Sequence, residues 1–499
     1  MSMLKKLAGQ TALYGLSSII GRTLNFLLVP FYTSVLFAEE FGAMTELYAI
    51  VAFLNVIYLF GLETAYFRFS NKEGIHKEVT FNNTLSSILI TSFLFSGIII
   101  LFSKPIADIL KYRGNENYII WLALILALDA IANIPFARLR LENKAGKFAF
   151  AKLFNISVNI GFNLFFLIFC RKVYLGKIFP EFTDIVSYIY NPERNVEYIL
   201  ISNFIASLVT LPFLFSSFRG FKFSFTDEIK RMIPYSIPMM FIGLAGMIDE
   251  MLSRVMLKHW LPEGYYTDRS NLEALGIFGA CYKLSMFMSL GVQAFRYAAD
   301  PFFFSRASDK KAPELFARVM KWFVIACCFI YLGVSANLSI FKLILRKEIF
   351  REAILVVPVL LMANLFLGIY YNLSMWYKLT DKTHLGTIIS IAGAFITIIF
   401  NLLLIPYFGY MGSAATTLIC YFFMSALSYY WGKKYYPIPY KLGSAFFYIS
   451  TVVLLSIAAL LYPFGEGTLL SYAYQFCLII LFILIVFLKE KKEFNFKAS

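Results

Sequence analysis

The chain has 499 residues, of which 60% are hydrophobic and only 15% charged, with a formal net charge of +15. A soluble domain is about 45–50% apolar and about 25% charged, so this composition excludes an ordinary globular protein and reads as an all-α polytopic membrane protein. The apolar runs are helical in length and lack the strict alternation of a transmembrane barrel.

About fourteen such runs follow one another, at 11–36, 41–66, 81–102, 118–137, 148–170, 197–218, 232–257, 273–298, 314–336, 353–377, 384–405, 409–431, 442–462 and 468–488. The first carries Arg22 near its centre. Steps of three and four from it give Thr11, Gly15, Ser18, Arg22, Asn25, Val29 and Tyr32, a single stripe holding most of the polar groups of that helix. An Arg facing lipid at the bilayer centre costs at least about 2.5–3.5 kcal/mol, so the stripe is expected to face protein or water. In the second run Glu46 and Glu63 stand toward the ends, where a solvated or interfacial role is expected. Asp129, at mid-depth of the fourth, either neutralises a buried cation or binds a coupling cation.

The seventh run adds Asp249, Glu250 and Arg254 in its outer half. The eighth repeats the design of the first: Gly276, Gly279, Lys283, Met286, Leu290, Gln293, Tyr297 and Asp300 share one face, with Lys283 near mid-depth. Glu250 with Arg254 and Arg296 with Asp300 stand at i,i+4, the spacing of a structural pair on one helix. Arg22 and Lys283 have no acidic neighbour on their own helices and are expected to line an anion-facing cavity, with Arg254 as a third cation. Gly21, Pro30, Pro234, Pro238, Gly243 and Gly246, in the first and seventh runs, mark either bends or close helix packing.

The basic charge invites a nucleic-acid partner, but its placement supplies another reason for it. With the N-terminus inside, the inner connections hold about twice as many Lys and Arg as the outer ones, counting Lys152, Arg318 and Lys321 with the inner loops they adjoin. That is the positive-inside pattern, and it places both termini in the cytoplasm. No cleavage site stands out after Lys5 and Lys6, so the first helix is expected to stay. The six cysteines lie in or beside apolar runs, where no disulfide framework is expected. The three histidines offer no metal-ligand spacing, and no Gly-rich loop with a Lys cradles a phosphate. No cofactor is expected, and coupling to H+ or Na+ is left open.

The chain also repeats itself. Arg140-Leu141-Glu142-Asn143-Lys144 aligns with Lys378-Leu379-Thr380-Asp381-Lys382 at an offset of 238, and the same offset carries Phe162-Asn163-Leu164 onto Phe400-Asn401-Leu402. Glu39, Gly42, Tyr48 and Phe53 match Glu273, Gly276, Tyr282 and Phe287 at an offset of 234. Six spans repeated in one orientation imply two pseudo-symmetric lobes with a cleft between them. The expected division is an N-lobe of helices 1–6 in residues 1–225, a C-lobe of helices 7–12 in 226–435, and helices 13–14 with a cytoplasmic tail in 436–499.

With this arrangement, "EEFGAMTELYAIVAFLNVIYLFGLETAYFRF" and "FNLLLIPYFGYMGSAATTLICY" make the chain resemble the polysaccharide (O-antigen type) flippases of the multidrug/oligosaccharidyl-lipid/polysaccharide exporter superfamily. The resemblance implies a bacterial inner-membrane protein, not an enzyme, that exports undecaprenyl-diphosphate-linked oligosaccharide by alternating access. Its partners would be membrane lipids, a polysaccharide polymerase and glycosyltransferases, with a cationic cavity meeting the diphosphate. Arg22 and Lys283 occupy spans where the related lipid II flippases keep cavity cations. The second span lacks the mid-membrane Arg of those flippases, which disfavours a peptidoglycan precursor as cargo. Drug-exporting members often carry an acidic cation site in the first span, where Arg22 is the only charge here. A drug or solute antiporter of the same fold is one rival reading, and a membrane glycosyltransferase or polymerase another, although the longest outer connection is only about 25 residues.

Overall fold

The computed structural model describes residues 3–71, 76–307, 309–461 and 468–495, with side chains from 15 to 491 except 300 and 301 within those stretches. The side chains of Thr11 and Asp300 therefore lie outside the described residues. Every regular element among the described residues is a helix. The long helices are α1 (Met3–Val35), α2 (Ala38–Leu59), α3 (Lys77–Leu101), α4 (Glu116–Leu141), α5 (Ala145–Leu164), α6 (Asn195–Phe218) and α7 (Ile229–Trp260). They continue as α8 (Asn271–Leu284), α9 (Met286–Arg306), α10 (Ala312–Ser335), α11 (Val356–Leu373), α12 (Thr383–Tyr435), α13 (Leu442–Leu461) and α14 (Leu469–Asn495). Among the described residues eleven helices are long and apolar enough to cross a membrane, or twelve if α8 and α9, bent by 45°, form one span. Fourteen crossings are thus not established, and the 53-residue α12 covers two of the expected runs.

The chain divides into two compact units, Met1–Val255 and Met256–Ser499, with the boundary inside α7. In the first unit α2 stops where Phe60 (φ 50°) and Gly61 (φ 67°) both turn left-handed, and a short helix, Leu62–Ser70, follows. Glycine is required at 61 on two grounds: its backbone angle, and a backbone carbonyl, Ser236 O of α7, occupying the space a Cβ would need. Gly21 and Gly243 are packing glycines, since a Cβ there would press on Ile156 and on Val56 at 2.6 and 2.9 Å. The prolines Pro30, Pro234 and Pro238 sit inside continuous helices. Tyr58, Leu62, Tyr66, Phe81, Leu85, Leu126 and Ile134 form one hydrophobic core cluster of this unit.

The expectation for Glu46 is corrected here. It is fully buried and accepts a hydrogen bond from the Tyr112 hydroxyl, because the loop before α4 folds back over α2. Glu63 pairs with Arg140, so it too is held by a partner.

The repeat read at an offset of 238 is written into the backbone. Asn143 and Asp381, equivalent positions, have φ of 56° and 55°. The Lys144 N–H donates to Leu139 O at 2.8 Å, and the Lys382 N–H to Tyr377 O at 2.9 Å. Each is the long bond of a Schellman helix end, and Asn and Asp are the non-glycine residues that best tolerate its left-handed position.

In the second unit Gly409 (φ 50°, ψ −123°) kinks α12. Tyr266 fills the side a Cβ would need, stacks on Tyr410 at 4.2 Å and accepts the Tyr410 N–H at 3.0 Å. Lys321 of α10, placed with the loops in the sequence reading, is buried inside its helix and bonds Glu490 of α14 at 2.5 Å, while the Tyr448 hydroxyl of α13 donates to the same carboxylate at 2.7 Å. One three-way polar contact thus ties the last two helices to α10.

Candidate functional site: a polar pocket in the first unit

Three consecutive helices of the first unit carry polar residues at helical spacing inside apolar runs. On α4 the stripe is Asp129, Asn133 and Arg140, with Phe136 between; on α5 it is Lys152, Asn155, Asn159 and Asn163; on α6 it is Asn203, Ser207 and Thr210. Intervals of three and four keep each set on one face. Facing one another, and joined by Asn55 of α2, most of them line a cavity of about 350 Å³. From Asp129 to Arg140 it follows α4 for about 16 Å at 1.5 Å per residue.

Asp129, the mid-depth carboxylate noted in the sequence, accepts from Ser207 Oγ at 2.6 Å through one oxygen. Lys152 lies with Nζ 4.3 Å from the Phe136 ring centroid. Both side chains are exposed to the cavity, and among the described residues they do not bridge each other. Asn155 Nδ2 donates to Thr210 Oγ1 at 3.0 Å, and Asn203 Nδ2 to the Tyr48 hydroxyl at 3.3 Å. Arg140, at the end of the pocket, is held by Glu63 and lies over Phe67 at 4.9 Å. Below the pocket Tyr32 of α1 donates to Asn163 Oδ1 at 3.0 Å, docking α1 on α5.

The other sequence-derived residues do not gather at this pocket. Arg22 and Asn25 are exposed on α1, Ser18 is half-buried, and Val29 and Tyr32, from the same stripe, are packed away. Among the described residues no carboxylate pairs with Arg22. Lys283 is exposed one residue before the α8 end, so the stripe of the expected eighth span is interrupted by the bend at Ser285. Gly276 and Gly279 are buried, and Gln293 Oε1 is buried without a hydrogen-bond partner. Asp249 is buried, and the Arg254 Nη1 points to Met251 Sδ at 3.1 Å. Glu250 is exposed and makes no ion pair among the described residues, so the i,i+4 bridge with Arg254 is not formed. Arg296 stacks over Tyr371 at 4.6 Å.

Lys152 and the amides of α5 and α6 are the residues that sequence reading passed over. The signal is present in the sequence: the periodicity that marks the first and eighth runs marks these stripes too, and Lys152, which adjoins the preceding loop in the sequence, lies eight positions into α5.

Residues 7–305 match the family model described as "Polysaccharide biosynthesis protein". Protein 1 of the Lsg locus of Haemophilus influenzae is 21% identical over 447 residues, covering 85% of this chain and 99% of that protein. Among solved structures, the lipid II flippase MurJ in an inward closed conformation superposes with a TM-score of 0.71 at 12% identity, covering 96% of this chain and 99% of that one. A multidrug transporter of the MATE family in an inward-facing conformation gives 0.61 at 14% identity, covering 83% and 94%. The fold is that shared by these transporters.

Proposed function

Because the chain belongs to the polysaccharide biosynthesis protein family, we propose that it is a flippase exporting lipid-linked oligosaccharide by alternating access, with an undecaprenyl-diphosphate anchor on the cargo. It would reside in the bacterial inner membrane with both termini cytoplasmic, each repeat forming one lobe and the last two helices following as a separate pair. The observation that carries this reading is Arg22, an exposed guanidinium midway along α1 with no carboxylate partner among the described residues. Its charge would be prohibitive against acyl chains, so its exposed face belongs to water or cargo. A guanidinium meets a phosphate with two parallel charge-assisted hydrogen bonds, replacing part of the hydration that a diphosphate loses on leaving water. Lys283, at the α8 end of the second unit, offers the same chemistry as a point charge. The prenyl chain remains in lipid throughout, so the protein need shelter only the polar head.

The likeness to a multidrug transporter raises the rival reading of a cation-coupled antiporter, and the absence of any carboxylate from the first apolar run, 11–36, where Arg22 is the sole charge, opposes it. The deciding experiment is deletion in the native host followed by extraction of membrane lipids. Cells lacking the protein should accumulate lipid-linked glycan with unchanged glycosyl transfer, and the wild-type gene should restore surface polysaccharide. Unchanged lipid-linked pools and unchanged surface polysaccharide would sink the flippase reading.

A further inference from the structure

The α4–α5–α6 pocket is more than a second cationic patch. As a carboxylate Asp129 only accepts hydrogen bonds and as an ammonium Lys152 only donates them, while Asn133, Asn155 and Asn203 can do both. Opposite charges on adjacent helices in an apolar layer would ordinarily be expected to close on each other, since separated charges in low dielectric are costly. Here, among the described residues, they share the cavity without bridging. Asp129 has spent one oxygen on Ser207, and Asn133 Oδ1 is buried with no hydrogen-bond partner. Capacity of both signs is therefore left facing a space of about 350 Å³, within the size range of small-molecule sites.

A metal cation would satisfy Asp129 but not a lysine in the same cavity. A phosphate would satisfy Lys152 but be repelled by Asp129. Hydroxyl groups satisfy both, because each donates and accepts. A ring that bears hydroxyls around its rim also presents C–H faces, for which Phe136 and Phe148, edge to face at 5.4 Å, supply an apolar wall. We propose that this pocket is a recognition subsite for one sugar ring of the cargo glycan, with Asp129 and Lys152 reading hydroxyls from opposite sides and the three amides completing the rim. The inference rests on the flippase reading and adds to it a place where the glycan, rather than its lipid diphosphate, is recognised.

The test uses the purified full-length protein in detergent and two probes: lipid-linked glycan extracted from cells lacking the protein, and sugar-free undecaprenyl diphosphate. Native mass spectrometry should show wild-type protein binding the glycan-bearing lipid at least about tenfold more tightly. Asp129→Ala combined with Asn155→Ala should abolish that preference while sugar-free lipid binds as before, and Lys152→Gln alone should reduce it. Eluting at the wild-type volume on size exclusion would show the variants folded. A preference that survives in the variants, or no preference in the wild type, would overturn the subsite while leaving the flippase reading standing. A sodium-dependent rise in melting temperature lost in Asp129→Asn would assign the carboxylate to a cation and overturn it as well. Failure of wild-type protein to bind either lipid would remove the lipid-linked cargo itself, and the subsite with it.

Discussion

At the scale of single residues, the same charge has opposite meanings depending on what its helix face meets. Arg22 is open and Glu46 is sealed, although both lie in apolar helices. Arg22→Ala removes one charge-assisted contact worth about 1.5–3 kcal/mol, so export should fall roughly 10–100-fold while membrane insertion is unchanged. Lys283→Ala should act the same way, and quantified surface polysaccharide with membrane-fraction immunoblots checks both. Tyr112→Phe takes a donor from buried Glu46 and should cost about 1–3 kcal/mol, read as a lower melting temperature in detergent. Burial first, and then the Glu46 carboxylate, raise the Tyr112 hydroxyl above its ordinary value. A raised value means the folded state favours the protonated phenol, so this contribution is fully present below the unfolded tyrosine pKa of about 10 and is lost as pH rises above it. Wild-type protein should lose more stability than Tyr112→Phe on alkaline titration.

At the scale of elements, polar periodicity and helix-end chemistry do different work. The equivalent Schellman ends at Asn143 and Asp381 set where α4 stops and where the short helix Met375–Leu379 stops, whereas the stripes on α4, α5 and α6 decide which faces meet. The contact joining α10, α13 and α14 through Lys321 and Glu490 leaves both side chains almost wholly buried. Removing one partner strands the other charge, so Lys321→Met should destabilise by about 3–5 kcal/mol, and Lys321→Met with Glu490→Leu should recover much of that loss. Thermal unfolding of the two variants measures it. Helical periods were readable wherever one face is polar; the bend at Ser285 was not, because residues 273–298 keep an unbroken apolar rhythm through it.

At the scale of the molecule, composition was sufficient to indicate a helical membrane protein, since a bilayer demands satisfied backbones and runs of about 20 apolar residues. Deletion should accordingly block export while spectrally intact helical content survives in Arg22→Ala, separating fold from transport in one circular dichroism and lipid-extraction experiment. Periodicity also placed Arg22 inside its helix from the sequence, because spacing along one helix is a one-dimensional property, whereas Lys283, expected near mid-span, stands at the end of α8 beside the bend. Only the tertiary structure decided that Asp129 faces Lys152 across a pocket, that Glu46 is sealed by Tyr112, that Glu250 does not hold Arg254, and that Lys321 is buried against Glu490. Each of those depends on which faces of different helices meet, and in a chain so uniformly apolar, many alternative rotations would bury similar amounts of hydrocarbon, leaving the few polar contacts to choose among them.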